Sequence, residues 1–112
     1  MKIFDSTLST LERALDARLQ RQNVLSGNLA NVDTPNFKPR DVDVKGLVDG
    51  TETETSAVID AESASAGIDG NQVDVDKTLV TLAENALQYG AAAKAAGKKL
   101  AILRYVASDG AA

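Results

Sequence analysis

Val75-Asp-Lys-Thr-Leu79-Val-Thr-Leu82-Ala-Glu-Asn-Ala86-Leu-Gln-Tyr89-Gly-Ala-Ala-Ala93-Lys-Ala-Ala96-Gly-Lys-Lys-Leu100-Ala-Ile-Leu103-Arg-Tyr-Val-Ala107 decides the fold. Its numbered apolar residues recur at strictly alternating steps of four and three. That alternation lays one narrow apolar stripe along a helix, as in the seam of a coiled coil. The opposite end repeats the pattern through Phe4, Leu8, Leu11 and Leu15, passes Arg18 and Gln22, and resumes at Leu25 and Leu29. The expected fold is all-α. Two long terminal helices pair as an antiparallel or coiled-coil-like hairpin, with a short extended, β-like arm and a flexible acidic central loop between them.

The N-terminal helix is expected from Asp5 to about Asn31, with Asp5 or Ser6 capping its first amides. Arg18 and Gln22 interrupt its stripe. Either this half faces water, or Arg18, Arg21 and Gln22 meet polar partners in an assembly; polar groups at seam positions set register at some cost in stability. Pro35 cannot continue a helix, and Asn31, Asp33 and Asn36 favour turns, so the chain bends there. Arg40-Asp-Val-Asp-Val44 alternates polar and apolar residues and predicts a short strand or extended arm. Gly46 to Gly70 is poor in large apolar residues and reads as a loop or as a segment ordered only by binding. Shortening within Thr51–Ser65 is therefore expected to be tolerated, because loop closure depends weakly on length. Asp69-Gly70-Asn71 marks a turn. Asp74 is a good cap for the second helix, with Asp76 in its first turn and a frayed tail from Ser108. The chain divides into a first helix (1–33), a turn and arm (34–46), an acidic loop (47–73) and a second helix (74–112), within one domain.

Composition narrows the function. With 112 residues, 4% aromatic residues and no Trp, little free energy comes from burial, so a lone chain is marginal and gains from partners. There is no Cys and no His, which removes thiol chemistry, imidazole acid–base work and nearly all zinc and haem sites. The net charge of −4 hides an uneven layout: Leu47 to Asp76 holds eight acidic residues and no Lys or Arg, and all twelve basic residues lie in the flanks. These are scattered among acids, unlike the dense basic face of a nucleic-acid binder. Asp69-Gly-Asn-Gln-Val-Asp74 begins like a calcium loop, but Asp74 stands where the loop needs Gly and Val80 where it needs Glu. No phosphate-cradling loop and no nucleophile–base set is present. The expectation is a protein with no catalytic, metal or cofactor site and no small-molecule substrate. No apolar run approaches the ~20 residues of a membrane span, and the first residues lack the apolar core of a signal peptide. Gly90 and Gly97, seven apart, are either tolerated surface positions or points of close helix approach.

Arg18-Leu-Gln-Arg-Gln22, Leu25, Asn28, Ala30-Asn31, Asp33-Thr-Pro35, Lys38 and Arg40-Asp41 resemble the N-terminal signature of the bacterial flagellar rod and hook proteins, most closely its proximal-rod members. Asp69-Gly-Asn-x-Val-Asp-x-Asp76, Leu82-Ala-Glu-Asn85, Leu87, Tyr89 and Leu100-x-x-Leu-Arg104 are similar to the C-terminal helix of the same family. The chain departs in having Asn36 where Gly is frequent, Phe37 where Tyr is frequent, and a short middle segment. The resemblance implies a structural subunit of the proximal rod, exported by the flagellar type III apparatus without a cleaved signal. It would self-assemble and co-assemble with other rod subunits and the membrane-ring junction, in the periplasm, as a torque-transmitting tube around the export channel. Leu8, Leu11, Leu15, Leu25, Leu29, Leu79, Leu82, Tyr89, Leu100 and Leu103 are then the expected subunit-interface residues. Asn28, Asn31, Asp33, Thr34, Pro35, Lys38 and Arg40 form the family-motif turn. Another flagellar axial protein, or a soluble coiled-coil adaptor or chaperone, is the alternative.

Overall fold

The computed structural model describes residues 6–61 and 73–110, with side chains to 108. Five elements follow one another: α1 (Ser6–Ala30), β1 (Arg40–Val42), α2 (Val44–Asp49), β2 (Val58–Asp60) and α3 (Val75–Gly110). The molecule is long and narrow, 69 × 25 × 15 Å, because the 36-residue α3 outruns the 25-residue α1 packed along it.

The first helix ends as its turn formers dictate. The Asn31 amide donates to the Gly27 carbonyl (3.1 Å) and the Asn31 side chain to the same oxygen (2.8 Å). Two further turns tighten the bend, Thr34 N–H to Asn31 O and Phe37 N–H to Thr34 O. Asn36 adopts φ 63°, the left-handed region that Asn tolerates better than most side chains, so its presence in place of Gly is accommodated.

Pro39 then starts an arm that pairs antiparallel with a later segment. Arg40 faces Asp60, Asp41 faces Ile59, and Val42 faces Val58. The ladder extends at both ends through Ala61 N–H to Pro39 O and Asp43 N–H to Ala57 O. Asp43 caps α2 by accepting from the Gly46 amide (3.0 Å), and Gly50 closes that helix at φ 79°. The cap needs glycine at 46, since a Cβ there would lie 2.5 Å from Glu52 Cγ and 2.6 Å from Asp43 Oδ2.

The first part of the acidic segment is therefore built, which corrects the expectation of a flexible loop from residue 47. The first turn of that loop is helical, and 58–60 supply the partner strand for the arm. Backbone pairing, which composition does not reveal, orders it. The rest of the loop and the Asp69-Gly70-Asn71 turn lie outside the described residues, as do Phe4 and the Asp5 cap. Asp74 does cap α3, accepting from the Lys77 amide at 3.0 Å. That helix runs on through Gly110, past the tail expected from Ser108.

The buried apolar side chains among the described residues are Leu8, Ala17 and Leu25 of α1 with Val42 and Ala57 of the arm and its partner. The arm unit packs on one side of α1, and α3 packs along another.

Candidate assembly surfaces

Two polar clasps tie the turn and arm to α1. Asn28 is buried, and its carboxamide reads the Arg40 backbone at both atoms. Nδ2 donates to the carbonyl (2.6 Å) while Oδ1 accepts from the amide (3.0 Å). Two helical turns away, the Arg21 guanidinium grips the Asp41 carboxylate through two bonds, 2.8 and 3.1 Å. Asp41 Oδ1 also accepts from the Val42 amide. A bidentate, partly buried pair of this kind has directional strength that surface pairs lack. The arm is thus held at a fixed angle to α1. Gln20 and Arg13 add bonds to the carbonyls of Glu54 and Val48.

The α1–α3 junction is also polar at its centre. Asn85 is fully buried and donates through Nδ2 to the Arg18 carbonyl (2.8 Å) and to Gln22 Oε1 (2.9 Å). Its Oδ1 is buried without a hydrogen-bond partner. Both readings of the interrupted stripe look outside the chain, whereas Arg21 and Gln22 find polar partners within it, Asp41 and Asn85. Arg18 remains a half-buried cation with no carboxylate partner among the described residues. Loss of water, and then the neighbouring Arg21 charge, hold its guanidinium below its usual pKa.

The face of α3 turned to α1 is not the ladder read from sequence. Its buried or half-buried residues run Thr78, Thr81, Leu82, Asn85, Ala92, Ala96, Lys99 and Leu103. Only Leu82, Ala96 and Leu103 belong to both sets. Leu79 and Leu100 of the expected interface are exposed, by 49% and 50%, and Tyr89 is exposed at the edge of the α1–α3 junction, beside Arg18 and Gln22. On α1, Leu8 and Leu25 are buried and Leu11, Leu15 and Leu29 half-buried. The helix is rotated so that mainly small and polar residues, with Leu82 and Leu103, meet α1 and most of the large apolar ones face outward. Of the eleven large apolar side chains exposed among the described residues, nine lie on α3. Among the described residues Gly90 and Gly97 make no close approach: a Cβ at either meets nothing within 4 Å. The residues that sequence reading did not single out are Asn85, Thr78 and the Arg21–Asp41 pair. The signal for Asn85 was the pair of polar interruptions on α1, which called for a polar residue on the facing helix.

Among the turn residues of the motif, Asn28 and Asn31 make side-chain bonds to the backbone, and Thr34 Oγ1 donates to Asn31 Oδ1. Asp33, Pro35, Lys38 and Arg40 are exposed. No group of three or more acidic side chains among the described residues is placed to hold a metal ion, and no helix among them is long and apolar enough to cross a membrane.

A helix, a clasped turn and a second helix with an uncovered apolar surface define a structural assembly protein. The family described as flagella basal body rod protein matches residues 8–38, the second half of which is the clasped turn and its approach. The flagellar basal body rod protein FlgB of Bacillus subtilis is 30% identical over 98% of this chain and 99% of its own length. The FlgB proteins of Salmonella typhimurium and Escherichia coli are 34% and 32% identical, each over 76% of this chain and 80% of theirs. The chain belongs to the FlgB family of flagellar basal body rod proteins, a structural and not an enzymatic family of the flagellar basal body.

Proposed function

We propose that this protein is a proximal-rod subunit whose α1 and α3 form an antiparallel hairpin that is completed by neighbouring subunits. Repetition of one contact between unlike faces then generates a tube around the export channel. The partners are other rod subunits and the rod–membrane-ring junction, reached in the periplasm through the flagellar type III export apparatus. The observation that supports this reading is the outward apolar surface of α3, with Leu87 exposed by 76%. A helix of 36 residues that, among the described residues, fully buries no large apolar side chain gains much of its stability elsewhere. Deleting the gene and imaging basal bodies tests it. Basal bodies that stop at the membrane ring, restored by the cloned chain, are the expected result. Complete rods in the deletion strain would refute it.

A further inference from the structure

Beside the Asn85 clasp, α1 and α3 leave an open groove of about 260 Å³ lined by Arg18, Leu19, Gln22, Asn85, Ala86 and Tyr89. Three of its features are incomplete in the lone chain. Arg18 is half-buried without a carboxylate among the described residues. The Oδ1 of fully buried Asn85 has no hydrogen-bond partner. Leu19 and Tyr89 are exposed, by 51% and 38%, on its walls. A different face of α3 carries the complement. Val80, Glu84 and Leu87 fall at i, i+4 and i+7, so they share one stripe, and all three are exposed. Glu84 has no hydrogen-bond or ion-pair partner among the described residues.

We propose that the Arg18–Leu19–Tyr89 groove of one copy receives the Val80–Glu84–Leu87 stripe of a second copy, with the Glu84 carboxylate on the Arg18 guanidinium. This rests on the rod reading and names the contact between like subunits. The match is one of charge and surface: a half-buried cation with apolar walls meets an unpaired carboxylate with apolar flanks. The occupant is a second copy because the chain itself presents the required apolar–acidic–apolar stripe. Groove and stripe are unlike faces of one molecule, so the contact does not close on itself and leaves each face free for a further copy.

The chain has no cysteine, so cross-linking reads the contact directly. Differently tagged Leu19→Cys and Leu87→Cys chains are co-expressed in the deletion strain, and basal bodies are purified and mildly oxidised. A mixed disulfide dimer is expected, in excess over dimers from either variant alone. Adding Glu84→Arg to the Leu87→Cys chain lowers its yield about fivefold, the scale of one well-placed ion pair. Adding Arg18→Glu to the Leu19→Cys chain as well restores it. Glu84 is exposed, so its reversal leaves the free chain folded, which circular dichroism verifies. Chains present in basal bodies with no mixed dimer, or with a dimer indifferent to both reversals, overturn the contact and leave the rod reading standing. Chains absent from basal bodies refute the rod reading and the contact with it.

Discussion

Asn28 shows how one side chain does the work of several. It leaves α1 buried and satisfies the amide and carbonyl of Arg40, two groups that otherwise have no partner on that edge of the arm. Asn28→Leu keeps the volume and removes both bonds, so a part-buried donor and acceptor lose their partner at about 1–2 kcal/mol. Urea unfolding of the free chain should show that loss, and amide exchange should show the Arg40 amide of β1 opening before those of α1. Equal exchange rates at Arg40 in variant and wild type would contradict the clasp. The turn itself was legible from Asn31, Asp33 and Pro35, because a helix cannot pass proline and Asn bonds its own backbone. The partners of Asn28 and Arg21 were not, since they are set by where the chain returns after the bend. Asn36 stands between these cases: residue type allows its positive φ, and the tertiary turn demands it.

At the scale of elements, the hairpin between β1 and β2 was half visible. Alternation over Arg40–Val44 marked the arm, while its partner lay in a stretch whose composition resembles a loop. The rotation of α3 was hidden for a related reason. Periodicity finds the most apolar stripe of a helix, and a helix made for two sets of contacts can turn that stripe outward. Two predictions follow the elements. Deleting Val58–Asp60 strips the ladder from Arg40–Val42 and uncovers Val42, so the tolerance expected for shortening within Thr51–Ser65 does not extend to those residues. Protease resistance of the arm is the measurement, and an arm as resistant as wild type would contradict the pairing. Asn85→Leu removes a buried polar group with one unmet oxygen, so the free chain melts no lower than wild type. What it loses is register, because the bonds to Arg18 and Gln22 fix one alignment of α1 and α3. Leu25 and Thr78 line one groove, so cysteines there cross-link in the native alignment, and cysteines at 25 and 85 report a slip of seven residues. A variant that cross-links only through 25 and 78 would show that Asn85 does not set the register.

The whole molecule is thin, with few buried apolar side chains and a helix that buries small and polar residues against its own chain. Marginal stability of the free chain suits an assembly subunit, because the missing burial is supplied when neighbours dock. Leu100 separates these two stages. It is half-exposed, so Leu100→Asp costs the free chain little, and circular dichroism should give wild-type helicity and a melting temperature within a few degrees. In an assembled rod the same carboxylate would be buried without a partner, at a cost of several kcal/mol per subunit. Leu82, which faces α1 as well, gives the contrast: Leu82→Asp should lower both helicity and assembly. The expected pattern is therefore loss of motility and of basal-body incorporation in both variants, with a folded free chain only for Leu100→Asp. Wild-type motility from Leu100→Asp would remove the outward face of α3 from the assembly surface, and an unfolded free chain would place Leu100 in the protomer's own packing instead.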